Sequence, residues 1–413
     1  MESNITGKKR FFMKDTILMF GPAWLAMMAD MDVSSFIGAA QTGATFGYGL
    51  IWVMIILIIP LYVVQELAGR ISVATRDGLG TVVRRYYGKK IASIVAFPMA
   101  LTDIITYGIE YLGIGIGLEI MGISLFYSIP VVYVIHIAIV TRRKYRQAEK
   151  PLIMISVVLV TSLLISLFFR GIMPISSSLG NPFLLEPTSS FFFLLAANVG
   201  AVVMPFMIFF QASATGTKLK ELNRSGLYIG RHRSVHIMRK ETLIGAIATE
   251  LLMVIAEMAF TGIPRAANSS FFATPADLGK VLAPIAGSFS PYIFGIGIIA
   301  AGFIALITIS MGSAWGVAEA LGISSRSYWI VYVLESVPAV IAVLVINPAS
   351  IIGMVLYLLI FFVFALIAPM AMLWIIGRNR KIMGDLALTA GNQIIYLSIL
   401  ILIVATAVIA VVT

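Results

Sequence analysis

The sequence predicts an all-α integral membrane protein of about eleven transmembrane helices, built as two five-helix inverted repeats with broken first and sixth helices plus one extra helix. Three observations carry this. Apolar runs fill most of the 413 residues, the basic residues fall almost entirely on one side of the alternation those runs impose, and the first and sixth runs are interrupted at corresponding places.

The chain is 60% hydrophobic and 12% charged, against roughly 25% charged for a soluble domain, so its apolar surface needs lipid. Runs long enough to cross ~30 Å of hydrocarbon lie near 16–40, 45–68, 92–118, 125–141, 151–171, 192–214, 242–263, 287–317, 328–347, 350–377 and 390–412. The connectors are short except for a basic stretch at 216–240 and a polar one at 264–286, which leaves no room for a separate soluble catalytic domain. A single membrane domain over 1–413 is expected, with repeat halves at about 16–171 and 192–377 and the extra helix at about 390–412. The first run follows Lys8, Lys9, Arg10 and Lys14, yet it is interrupted by acids, lacks a small-residue cleavage site and precedes ten more runs; it is not expected to be a cleaved signal peptide. Absence of cysteine excludes a disulfide framework and a thiolate metal site.

A net charge of +10 would suit nucleic acid, so the placement of the 29 basic residues decides. With the N-terminus inside, 26 fall on one side, clustered before the first run, at 70–90, 142–150, 218–240 and 378–381, with Arg326; only Arg170, Arg265 and Lys280 fall on the other. This is the positive-inside distribution of a multi-pass protein, and it argues against nucleic acid as a partner. Membrane lipid is the expected partner, anionic lipid touching the 216–240 stretch included; no obligate protein partner is evident.

The first run, GPAWLAMMADMDVSSFIGAAQTGATFGYG, places Asp30 and Asp32 in mid-span, where a charge costs at least ~2.5–3.5 kcal/mol and is a functional candidate by default. Two acids two apart cannot share a helix face, and Ser34 and Ser35 after them bond to local backbone; an unwound break is expected. The ordinary alternative is a pair that only caps a helix end. The sixth run contains ANVGAVVMPFMIFFQ, in which Pro205 removes a backbone donor and frees a carbonyl one turn earlier, near Ala201. Met204 beside it is a soft donor, or one of 21 methionines that are mostly core filler. Broken first and sixth helices mark an inverted-repeat transporter with its site at the midplane.

The third run carries Asp103 and Glu110 seven apart on one face, either lining a pathway or relaying protons, or as satisfied buried groups; Glu119 lies nearer the outer end. Gly113 and Gly117 form a small-xxx-small pair for close helix packing, and no strand precedes them as a nucleotide loop would need. Glu250 and Glu257 give the seventh run a polar inner face. His232 and His236 have the spacing of a metal pair, but Arg231, Arg233, Arg239 and Lys240 crowd them, which favours a solvated basic loop. No phosphate-binding loop, zinc-protease motif or nucleophile elbow occurs, so no enzyme is expected.

Taken together, the stretch from Gly21 to Tyr48 with its GATFGYGL ending, GAVVMPFMIFFQ, and IIAAGFIALITISMGSAWGVAEALG from Ile298 resemble the first, sixth and eighth spans of the Nramp family of divalent metal-ion transporters. The resemblance implies the LeuT-like fold and a site in which Asp32 is the principal anionic ligand, the Ala201 carbonyl and the Met204 sulfur are retained, and Ser35 stands where the family has an asparagine. In the family the first break reads DPGN; here Val33 and Ser34 replace its middle. Phe206 and Gln211 replace histidines, Tyr107 replaces an aspartate three before Glu110, and arginines expected between Tyr328 and Pro338 are absent. These departures resemble a divergent, magnesium-carrying branch.

The reading is therefore a transporter importing divalent metal ions, Mg²⁺ or Mn²⁺ or both, by alternating access and without strict proton coupling, in the cell membrane with no resident cofactor. Asp30 adds charge or stands behind the direct ligands. The chief alternative is an ion-coupled carrier of amino acids or other small organic solutes, which would present a helix N-terminus rather than two acids to an anionic substrate. An intramembrane enzyme would need a nucleophile–base pair that is missing. The charge asymmetry predicts a cytoplasmic N-terminus and, with eleven spans, an external C-terminus. A C-terminal tag should accordingly be labelled from outside in intact cells, and protection of that tag would refute the orientation.

Overall fold

The computed structural model describes residues 15–141, 145–172, 174, 179, 181–183, 188–274, 277–278 and 289–412. Lys8, Lys9, Arg10, Lys14, the 142–144 part of the basic cluster and Lys280 lie outside the described residues. The first span is α1 (Pro22–Met28) followed by α2 (Val33–Phe46). Next come α3 (Ile51–Thr75), the short α4 (Leu79–Tyr87), α5 (Lys89–Ile120), α6 (Leu125–Val140) and α7 (Tyr145–Arg170). The sixth span is α8 (Ser189–Val202) and α9 (Pro205–Arg224), and α10 (Arg231–Phe260), α11 (Ser290–Leu321) and α12 (Tyr328–Val345) follow. After α13 (Pro348–Gly353) come α14 (Val355–Gly377), the single-turn α15 (Arg380–Met383) and α16 (Ala390–Val412). No strand forms among the described residues.

Nine helices among the described residues are long and apolar enough to cross a bilayer, with α8 and α9 together as one 36-residue span. The 16-residue α6 and the α1–α2 pair bring the total to the expected eleven. Five spans precede α8 and five run from α8 to α14, and α16 lies outside them, packed on α8 and α14.

One connector differs from expectation. The basic stretch 216–240 is not a loop: α9 continues to Arg224 and α10 begins at Arg231. Its apolar residues recur at helical spacing, and Leu219, Leu222, Val235 and Met238 are buried against the bundle while Lys220, Arg224, Arg231 and Lys240 face out. The chain turns at Gly226, in the left-handed region at φ 74°, with the Leu227 amide closing on the Leu222 carbonyl at 2.9 Å. His232 and His236 accordingly sit on the first turns of α10, both exposed. The His232 Nε2 lies 2.7 Å from Asp385 Oδ2.

The core is centred on α11, which packs on α5, α9, α7 and α12. Small residues set the approaches of α5, as the Gly113/Gly117 pair predicts: a Cβ at Gly117 would lie 2.8 Å from Ile299 Cγ1 on α11, and one at Gly113 2.5 Å from Val33 Cγ2 on α2. On the opposite side Gly200 lets α8 meet α14, where an added Cβ would fall 1.8 Å from the Leu359 carbonyl oxygen. That atom is backbone and cannot move aside. Gly200→Val is therefore expected to cost at least ~2–3 kcal/mol and sharply lower the yield and thermal midpoint of monodisperse protein in detergent. Gly391→Ala, where the neighbouring space is open, should leave both unchanged.

Candidate metal site

Both predicted interruptions are present. After α1, residues 29–32 leave the helix, and Asp32 takes an extended conformation (φ −78°, ψ 176°) as the N-cap of α2. Its Oδ1 accepts hydrogen bonds from the Ser35 amide (2.7 Å) and the Ser34 hydroxyl (2.8 Å). A second carboxylate completes the cap: Glu110 Oε2, from α5, accepts from the Val33 amide at 3.2 Å. The start of a helix exposes amides that need acceptors, and here two carboxylates provide them. Asp32 thus does cap a helix, as the ordinary reading supposes, but with one oxygen only. Its Oδ2 is buried and has no hydrogen-bond partner, and the same holds for the Ser35 hydroxyl.

The sixth span breaks at Val203 and Met204, both extended, and Pro205 opens α9. The Ala201 carbonyl would accept the amide four residues on; that residue is Pro205, which has none. Ala201 and Met204 are completely buried. Since α2 packs on α8 and α1 on α9, the two interruptions adjoin in crossed fashion, as an inverted repeat requires. Asn198 ties them together, donating from Nδ2 to Thr42 Oγ1 at 3.0 Å.

The surroundings are acidic. Asp30, 1% exposed, faces Asp32, Glu250 and the Thr249 hydroxyl, and neither of its oxygens nor those of Glu250 has a hydrogen-bond partner. Asp103 faces Asp32 from α5 and is likewise unpartnered. Glu257 is fully buried and turned inward with Glu250, whereas Glu119 is exposed. Among the described residues no three His, Cys, Asp or Glu side chains stand close enough together to hold a metal ion. An ion at the break would need a mixed donor set.

Several residues that position the site carry no obvious sequence signal. Glu241 Oε1 accepts from the Gly21 amide (2.6 Å) and the Trp24 amide (2.9 Å), capping α1 from α10. Lys218 bonds both the Phe20 carbonyl and Glu149 Oε1, anchoring the chain just before α1. Two other residues were legible but overlooked: Glu335 and His136 each stand alone in an apolar run. His136 is wholly buried. Its Nε2 lies 2.8 Å from Ser310 Oγ, and its Nδ1 lies 2.7 Å and 2.8 Å from the Tyr111 and Tyr332 hydroxyls. Tyr107 joins this network, donating to Ser310 Oγ at 3.0 Å.

Residues 23–413 match the family model described as Nramp, natural resistance-associated macrophage protein-like. The chain belongs to the Nramp family. That family transports metal ions and is not a family of enzymes, so at this level the chain is a multi-pass membrane transporter of divalent metal ions. Among similar solved structures is the Eremococcus coleocola manganese transporter in complex with an aromatic bis-isothiourea compound, at 15% identity, TM-score 0.81, covering 97% of this chain and 87% of that one. Histidine-to-alanine and glutamate-to-glutamine variants of the same transporter align at 14% identity and TM-score 0.80, with the same coverage. At these identities the likeness speaks for the fold, and it agrees with the two-broken-helix Nramp arrangement. The amino-acid-carrier alternative is not favoured.

Proposed function

We propose that this Nramp protein imports divalent metal ions, Mg²⁺ and Mn²⁺, across the cell membrane by alternating access and without strict proton coupling. The observation that carries the reading is the divided role of Asp32, one oxygen holding the α2 cap and the other buried without a partner. A lone buried carboxylate oxygen is costly unless a cation meets it. Asp32 is assigned as principal ligand, with oxygens from Ser35 and the Ala201 carbonyl, a thioether from Met204, and Asp30 contributing charge nearby. The divided halves at about 16–171 and 192–377 would rock about this point, with the N-terminus inside. Mn²⁺ agrees with the similar solved protein, which is titled a manganese transporter.

Mg²⁺ sheds water reluctantly and usually keeps several waters, so its site should be roomy and strongly acidic; serine at position 35 and the Asp30–Asp32 pair supply both features. The absence of strict proton coupling rests on the groups beside the site. Phe206 is apolar, Gln211 is a buried amide with no hydrogen-bond partner, and the Tyr107 hydroxyl is engaged by Ser310. None is a carboxylate or imidazole poised to exchange a proton.

Asp32→Asn should nearly abolish metal uptake into liposomes holding the purified protein while leaving expression intact; uptake within about twofold of wild type would show that the carboxylate is not the ligand. In the same liposomes Mg²⁺ and Mn²⁺ should both enter, Ca²⁺ should be disfavoured by size, and an internal pH dye should stay flat. Met204→Ala should weaken Mn²⁺ or Cd²⁺ transport more than Mg²⁺ transport, because only softer ions gain from sulfur. Wild-type protein that carries Mn²⁺ yet is neither permeated nor inhibited by millimolar Mg²⁺ would remove magnesium from the reading, and tight metal-dependent acidification would restore proton coupling.

A further inference from the structure

Next to the break, α5, α11 and α12 pack mutually and bring together three buried polar side chains. Asp103 on α5 is fully buried, Glu335 on α12 is 5% exposed and Ser313 on α11 is fully buried. Glu335 faces Asp103 and Ser313, and Asp103 faces Ser313 and Asp32. All four carboxylate oxygens and the Ser313 hydroxyl lack a hydrogen-bond partner. Ser313 is the informative member. Other hydroxyls of α11 fold back on their own helix, Thr308 to the Ile304 carbonyl at 2.8 Å and Ser310 to the Leu306 carbonyl at 2.6 Å, the usual resort of serine and threonine in apolar surroundings. Ser313 forgoes that bond and faces both carboxylates.

We propose that Asp103, Glu335 and Ser313 form a second cation site, oxygen-only and suited to a hydrated hard divalent ion of the Mg²⁺ class. Two carboxylates excluded from water call for about two positive charges, and neither Asp103 nor Glu335 takes part in a salt bridge among the described residues. The donors are all hard oxygens, with no imidazole or thioether to attract a softer metal. Two carboxylates with the remaining positions left to water is the usual manner of binding Mg²⁺.

The location gives the site a purpose. Ser313 stands about 12 Å from the end of α11 at Leu321, and Glu335 about 10 Å from the start of α12 at Tyr328, at a rise of roughly 1.5 Å per residue. At those helix ends lies a cavity of about 490 Å³ lined by Trp315, Glu319, Tyr328 and Trp329. Asp103 faces Asp32 as well as Glu335, so an ion held here would adjoin the break. The site goes beyond the transport reading and is inferred from its own atoms.

The test is calorimetric titration of Mg²⁺ into the purified full-length protein in detergent, comparing wild type, D103N/E335Q, S313A and D32N. The amide variants keep volume and remove charge, and thermal unfolding without Mg²⁺ verifies their folding. Wild type should take up two equivalents and D103N/E335Q one. S313A should retain both with the second weakened about threefold to tenfold, the worth of one oxygen contact, and it serves as the readout should the double variant not fold. D32N should keep the Asp103–Glu335 equivalent. Stoichiometry and affinity unchanged in D103N/E335Q and S313A would overturn the proposal, the two acids then being held neutral. Loss of one equivalent in D103N/E335Q with none in D32N would instead sink the Asp32 assignment and leave this site standing.

Discussion

Inside a bilayer an interrupted helix leaves amides and carbonyls that water cannot reach, and irregular backbone at that depth survives only where protein encloses it. The packing of this chain is arranged around two such interruptions. The amides opening α2 are met by Asp32 and by Glu110 from α5, and α1 is held at its other end by Glu241 from α10. Each acceptor comes from a different span, so the geometry of the break is a property of the assembled bundle and not of the first span alone.

That arrangement couples stability to function through the same atoms. Asp32 Oδ1 and Glu110 Oε2 are committed to the cap, and the Asp32 and Glu110 oxygens left over are buried without partners. A carboxylate in that position is expensive to the apo fold and correspondingly attractive to a cation. Pro205 does the converse at the sixth span, where its missing amide leaves the Ala201 carbonyl available. Negative charge and free carbonyl oxygen adjoin because α2 packs on α8 and α1 on α9.

Beyond this centre the interior holds acids that form no salt bridge among the described residues: Asp30 with Glu250 on one side, Asp103 with Glu335 on another. Several basic residues, by contrast, tie helix ends together through ion pairs: Arg233 with Asp15 at 2.6 Å, Lys220 with Asp77 at 2.6 Å and Arg239 with Glu66 at 2.7 Å. An acidic interior under a basic rim tied by ion pairs suits a transporter of divalent metal ions. At physiological salt the rim pairs that reach solvent are screened within about 8 Å, whereas the buried acids are screened much less.

Apolar run length and basic asymmetry determined eleven spans and a membrane location from the sequence, because the cost of burying charge in lipid is paid residue by residue and needs no tertiary partner. The two breaks were legible for the same reason: Asp30, Asp32 and Pro205 offend a membrane helix locally. The helical course of 216–240 was not, since its cations hide an amphipathic pattern whose apolar side becomes visible only when Leu219, Leu222 and Val235 find the bundle. Glu335 and His136 stood in plain view as single polar residues in apolar runs, yet nothing local says what a lone buried group faces. Only the tertiary structure decided that Glu110 reaches Val33, that Glu241 caps α1, and that Ser313 faces both Asp103 and Glu335, because all of these contacts but Ser313 with Glu335 join residues 77 to 220 positions apart in the chain and no local pattern constrains a distance of that kind.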